Sequence, residues 1–264
     1  MSPKRFWREM PTTQFGARAA DWIAVLPLAA VEQHGPHLPV GVDAFIAEGL
    51  IARCAAALPE DSPVTILPVQ QVCKSNEHVN FPGTVTLDWE TTIKSWLQIG
   101  ESIARAGVHK IVMITSHGGN VAPMDIAARE LREHHHMLAV TTSFGRLSNW
   151  QNIYEYGEVI TDIHGGNAET SLMLALRPDL VDMTKAEDFD SHQLALKAEH
   201  RHLGLHSSDA NIAWLAEDLN PAGVVGDASA ASAENGEREI ASIVDGFVRL
   251  MDEIARTDPP KRSA

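Results

Sequence analysis

Val31-Glu32-Gln33-His34-Gly35-Pro36-His37-Leu38-Pro39-Val40-Gly41-Val42-Asp43 places a carboxylate, an imidazole and a second carboxylate close behind an apolar run, Trp22-Ile23-Ala24-Val25-Leu26-Pro27-Leu28. That run has the length and apolar density of a buried strand, and just beyond a strand end alternate residues point the same way. Glu32 and His34 are therefore expected to face one point. After the Gly35-Pro36 turn, Asp43 stands directly before residues 44–53, which read as a helix, so its carboxylate can turn back toward the same point. Taken alone, Asp43 in that place also fits a helix N-cap. Carboxylates and imidazoles without a thiolate suit zinc, manganese or iron(II).

Two more strand ends carry the same chemistry. Lys110-Ile111-Val112-Met113-Ile114-Thr115 reads as a buried strand and runs into Ser116-His117-Gly118-Gly119-Asn120 before a helix beginning near Val121. Ligands of open α/β sheets sit outside the carboxyl ends of strands, and the glycines beside His117 let backbone approach a substrate closely. Asp162-Ile163-His164-Gly165-Gly166-Asn167-Ala168-Glu169-Thr170-Ser171 repeats the His-Gly-Gly-Asn words and enters a helix over residues 171–177. A lone histidine at a strand end is ordinarily a satisfied polar residue, and Glu169 alone fits a first-turn carboxylate favoured by the helix dipole. Three such ends converging are hard to explain by packing.

Apolar runs alternate with helical stretches, including residues 87–106 and 121–136. This alternation predicts an α/β fold with a mainly parallel central sheet covered on both sides, a three-layer α/β/α sandwich. No internal linker is visible, so residues 1–264 are expected to form a single domain, with a last outer helix over 229–256 and a loose tail over 257–264. The formal charge of −14 argues against nucleic acid or an anionic membrane as partner. Two cysteines, Cys54 and Cys73, offer neither a disulfide framework nor a metal cluster. No run approaches the length of a membrane span and no apolar signal follows the charged N-terminus, so a cytoplasmic location is expected.

Glu-Gln-His-Gly-Pro-His-Leu-Pro with Asp43 nine residues after His34, a strand ending in His-Gly-Gly-Asn, and a downstream His-Gly-Gly-x-x-Glu-Thr-Ser together resemble the creatininase (creatinine amidohydrolase) family. The resemblance spans roughly residues 22–227. It implies a creatininase-like fold, a two-metal site of zinc, manganese or iron with zinc favoured, hydrolysis of a small cyclic amide or related amide, and assembly into a homo-oligomer, commonly a hexamer. By motif, Glu32 matches a terminal ligand of one metal, His34 a ligand of the other, Asp43 the bridging carboxylate, His117 a further ligand, and His164 the proton-moving catalytic residue. Creatinine-hydrolysing members resemble His-x-Glu at the third motif, where this chain has Gly119. The missing carboxylate is assigned to Glu169, and the departure puts creatinine itself in doubt. Three carboxylates against two divalent ions leave one positive charge, which a hydroxide would neutralise; such ions lower the pKa of bound water to about 7.

Asn76-Glu77-His78-Val79-Asn80-Phe81-Pro82-Gly83-Thr84 follows the apolar run 64–69, and His78 is read as substrate-facing, against a rigid Pro-Gly surface turn. Trp150, in a polar loop, is read as a cover over the substrate site, against a buried anchor. The run His134, His135, His136 reads as a solvated helix face, because adjacent helical residues point in different directions. Residues 210–227 are assigned no chemistry. Within the same family the alternatives are a formamide hydrolase or a metallopeptidase. From another class, a metal-free small-ligand or nucleotide-binding module would use the glycine-rich strand ends to cradle phosphate, but the lysine or extended glycine fingerprint of such loops is missing.

Overall fold

The structure, a computed structural model, describes residues 2–154 and 162–259. Four parallel strands form its central sheet: β1 (Ile23–Leu28), β2 (Val64–Ile66), β3 (Lys110–Thr115) and β4 (Leu138–Ser143), in the order β2-β1-β3-β4. β1 and β3 run in register from Ile23 opposite Lys110 to Leu28 opposite Thr115. The order reverses between them, since the chain leaves β1 for one side and reaches β3 on the other. At such a switch point the outgoing loops diverge and leave a crevice beyond the strand ends.

Both faces of this sheet are dry, which explains why β1 and β3 read as continuous apolar runs. Ile23, Val25, Val112 and Ile114 point to one side, where α1 (Val42–Ala57), α4 (Asn167–Leu176) and α7 (Ala233–Ala255) add Leu50, Met173, Ile243 and Phe247. Ala24, Leu26, Ile111 and Met113 point to the other, where α2 (Trp89–Arg105) and α3 (Val121–His135) add Trp96, Ile103, Met124 and Leu131. Each valine, leucine, isoleucine, methionine or phenylalanine among them, taken wholly out of water, contributes about 1.5–3 kcal/mol. Buried Lys110 at the start of β3 donates to the Ile254 and Ala255 carbonyls at 3.1 and 3.0 Å, a cation at the carboxyl end of α7. Cys54 and Cys73 are free and buried. Among the described residues no helix is long and apolar enough to cross a membrane.

Several boundaries differ from expectation. β2 stops at Ile66 although the apolar run continues, because Pro68 has no N–H to give the ladder. α4 starts at Asn167, earlier than the expected 171, and α7 starts at Ala233, where Ser232 accepts from the Asn235 N–H. α1 starts at Val42, so Asp43 lies inside the first turn and is not the N-cap. Of the expected tail, residues 260–264 lie outside the described residues. The remaining chain forms α5 (His192–Glu199), α6 (Ala216–Leu219), and two small pairs, β5 (Asp188–Phe189) with β8 (Gly226–Asp227) and β6 (Leu203–Gly204) with β7 (Ala210–Asn211).

α4, which carries Glu169, packs on α7 at a point where Gly236 meets backbone. A Cβ there would overlap the Ser171 carbonyl oxygen. Gly236→Ala is therefore expected to force the helices apart and cost about 1–3 kcal/mol, read as a lower urea midpoint with unchanged slope.

Candidate metal centre

Glu32 lies four residues past the end of β1, His117 two residues past the end of β3, and Asp43 in the first turn of α1. The segment after β1 makes a β-bridge from Val31 to Val85 before it turns at Gly35. His34 folds back so that its Nδ1 donates to the Glu32 carbonyl at 3.0 Å. From the far side, the segment before α4 brings His164, and the first turn of α4 brings Glu169, whose Oε2 accepts from the Gly165 N–H at 2.7 Å.

These side chains form three overlapping triads, each with ligating atoms within 4.8 Å of one another: Glu32, Asp43 and His117; His34, Asp43 and Glu169; Glu32, His34 and His164. His117 Nδ1 is 3.1 Å from Glu32 Oε1 and 3.7 Å from Asp43 Oδ2. His34 Nε2 is 3.6 Å from Glu169 Oε2 and 3.9 Å from Asp43 Oδ2. His164 Nδ1 is 3.6 Å from Glu32 Oε1.

Backbone carbonyls orient every one of these rings. His117 Nε2 faces the Lys74 carbonyl at 3.0 Å, and His164 Nε2 faces the Gln33 carbonyl at 2.7 Å. A carbonyl accepts only, so the proton sits on those outer nitrogens, and the lone pairs of His34 Nε2, His117 Nδ1 and His164 Nδ1 converge inward. His78 differs. The Gln33 amide donates to its Nδ1 at 2.9 Å, which leaves Nε2–H directed at Glu32 Oε1 at 3.4 Å.

Three of the atoms aimed inward, Glu32 Oε1, His34 Nε2 and Asp43 Oδ2, are buried without a hydrogen-bond partner. Leaving one such group unmade costs about 1–3 kcal/mol, more when charged, so three in one place call for cations. The titration pattern agrees. Burial pushes the Asp43 carboxyl well above its ordinary range, and the Glu32 charge adds to this. Burial also opposes a charge on Glu32, yet His117, with His164 and His78, outweighs it and holds that carboxyl well below. Burial drives His34 well below its usual value and His78 down to about 4. His117 goes well up, because the carboxylates of Glu32, Glu77 and Asp43 outweigh its burial. This surplus of negative charge around one imidazole is what a metal ion would satisfy, displacing the proton.

A cavity of ≈ 380 Å³ opens onto the cluster. Glu32, His78, His117, His164 and Glu169 line it, and Ile163, His206 and Trp214 face them. The Trp214 indole is fixed by its N–H to the Leu205 carbonyl at 3.0 Å. Larger surface hollows exist, one of ≈ 620 Å³ beside Arg129, but it has no ligating cluster among the described residues. Trp150 belongs to a separate short element. It sits half-buried in a short 3₁₀ turn and is not among the cavity's described lining; Trp214, from the region assigned no chemistry, supplies the aromatic wall. Sequence reasoning also passed over Glu77, whose Oε1 is 3.3 Å from His117 Nε2. Its position in a turn-rich loop gave no sign of that partner. His134 is exposed and pairs with Glu130 on its own helix, outside any cluster.

A family model described as creatininase, creatinine amidohydrolase, matches residues 8–251. The chain belongs to the creatininase family. Within it, the chain is 30% identical over 258 residues to the mycofactocin precursor peptide peptidase of Mycobacterium ulcerans (strain Agy99), covering 95% of this chain and 92% of the relative. It is 35% identical over 211 residues to the creatinine amidohydrolase of Pseudomonas putida, covering 71% and 78%. A crystal structure of creatinine amidohydrolase superimposes with a TM-score of 0.75 at 29% identity, covering 97% of this chain and 100% of that one. A manganese creatininase (TM-score 0.74, 27% identity) and a Zn-Zn form of a creatininase variant (TM-score 0.72, 27% identity) match over the same shares. The sandwich architecture and the family expected from the three motifs are thus borne out, and the chain is a creatininase-family hydrolase with a candidate metal-binding cluster.

Proposed function

We propose that this chain is a two-metal amidohydrolase that cleaves the C–N bond of a small amide, with Glu32, Asp43 and His117 holding one ion and His34, Asp43 and Glu169 the other. The observation that carries the reading is the convergence of three buried, unpartnered atoms, Glu32 Oε1, His34 Nε2 and Asp43 Oδ2, with Asp43 common to both triads. Zinc or manganese is the expected metal, in keeping with the manganese and Zn-Zn creatininases. Two such ions would polarise a substrate carbonyl and make a nearby water acidic enough to attack near neutral pH.

The chain's own residues supply the rest. With its Nε2 proton committed to the Gln33 carbonyl, His164 presents only a lone pair on Nδ1 to the cavity. It must therefore first accept the proton of the attacking water and then deliver it to the leaving nitrogen, base before acid. His78 lines the cavity with its Nε2–H aimed at Glu32 Oε1, holding that carboxylate at the cavity wall, and Trp214 adds an aromatic wall. His164→Gln is expected to retain both ions while turnover falls about 10²–10⁴-fold. Loss of an ion, counted by elemental analysis, would instead make Nδ1 a ligand beside Glu32 and His34.

A small cyclic amide is the first substrate class. A second reading, a short-peptide amide, is favoured by the peptidase relative that covers 95% of this chain and by Gly119 in place of a third-motif carboxylate. The test is a panel of creatinine, other cyclic amides, formamides and short peptides, assayed on protein with two zinc or manganese ions per chain. Ring opening supports the first class and peptide cleavage the second. No C–N hydrolysis of any kind with both ions bound would sink the proposal. A single catalytic domain, homo-oligomeric assembly and a cytoplasmic setting belong to the same reading.

A further inference from the structure

We infer that Glu77 is a positioning residue for His117, and that the bare backbone at Gly119 is the condition that admits it. This deepens the proposed function and rests on its reading of His117 as a metal ligand. The His117 ring, 5% exposed, has two working edges. Its Nδ1 edge faces Glu32 and Asp43. Its Nε2 edge faces the Lys74 carbonyl at 3.0 Å and Glu77 Oε1 at 3.3 Å. The other Glu77 oxygen accepts from Lys74 Nζ at 2.7 Å, so one residue, Lys74, supplies both the carbonyl beside the ring and the cation that holds the carboxylate there. A carboxylate on the outer N–H of an imidazole ligand fixes its tautomer and orientation and makes the inner nitrogen a better donor.

Gly119 completes the argument. A Cβ at that position would overlap both Glu77 Oε1 and His117 Nε2, so no side chain can stand at 119 while Glu77 and the ring keep these places. The volume a third-motif side chain would fill is taken by the carboxylate of another loop. Glu77 and Gly119 are thus coupled through the same contact.

The experiment is zinc competition against a chelator for the full chain, comparing wild type, Glu77→Gln, Gly119→Ala, the double variant and His117→Ala. Glu77→Gln is expected to weaken one of two ions by about 10–100-fold, and the double variant to be little worse than either single, because both act on one contact. Nitrogen-15 spectra of the zinc-loaded protein should show His117 held as the Nε2–H tautomer in wild type and less completely in Glu77→Gln, a change a merely structural ion pair would not produce. Wild-type affinity in Glu77→Gln, or fully additive losses, overturns the inference. If Gly119→Ala does not fold, the Glu77→Gln affinity and spectrum decide alone. If His117→Ala keeps both ions, it is the ligand reading that fails, whatever Glu77 does.

Discussion

Glu32→Gln is expected to lose at least one metal ion per chain and to lower kcat/KM by well over about 10²-fold, the upper end of what removing even an outer partner of a ligand costs. Glu32 is wholly buried, and its two oxygens have separate tasks. Oε2 accepts from Ser75 Oγ at 2.5 Å, while Oε1 faces His117, His78 and His164 at 3.1, 3.4 and 3.6 Å. The amide keeps the shape, but with its oxygen accepting from Ser75 its NH2 takes the Oε1 place, so the loss would combine the charge with the inward oxygen. Without that charge the largest attraction holding a positive group at His117 is gone. Elemental analysis, with circular dichroism as a check on folding, measures the effect. Unchanged stoichiometry would remove Glu32 from the ligand set.

The second large effect concerns stability. Glu239 on α7 is 5% exposed and accepts from the Tyr154 hydroxyl at 2.7 Å. Burial pushes its carboxyl from 4.5 up to about 7, although the Tyr154 bond pulls the other way. A carboxyl with a raised folded pKa favours the folded state in its neutral form. Its contribution is fully present below about pH 4.5 and is lost as pH rises through about 7, a change of about 3 kcal/mol. Wild type should therefore lose urea stability relative to Glu239→Gln across that window, and the two curves should run parallel above it. Parallel curves throughout would mean that Glu239 is not titrating there. Taking the difference between the two proteins removes what is common to both and leaves the Glu239 carboxyl, with the Glu169 charge that also raises it.

The parts legible in the sequence were those fixed by one strong local signal. β3 spans the residues its apolar run suggested, and β1 begins one residue later than its run, because strands buried on both faces admit nothing else. Glu32, His34, Asp43, His117, His164 and Glu169 do converge, since each stands beside a strand end or helix start whose position the apolar pattern sets. What was not legible depends on loops. Trp214 is a tryptophan in polar surroundings, and only the path of the chain brings it to the cavity wall. Glu77 belongs to the same kind of problem. Its carboxylate reaches His117 through a 3₁₀ turn, Asn76–His78, and the sequence hint was negative, a glycine at 119 where a side chain would have closed the space.

Glu32 and Glu169 lie about half the chain apart, and the segment with His164 and Glu169 is held to the sheet side by short polar contacts such as His164 to the Gln33 carbonyl and His37 to the Gly165 carbonyl. An ion gripped by His34, Asp43 and Glu169 would stitch those distant parts together, and its binding free energy would become folding free energy. A free-ion concentration a hundredfold above Kd adds about 2.7 kcal/mol, a large share of the margin by which a domain stays folded. Metal supply would then govern how long each molecule survives heat and proteases as well as how fast it turns over, so that scarcity would thin the population of the enzyme and not merely idle it.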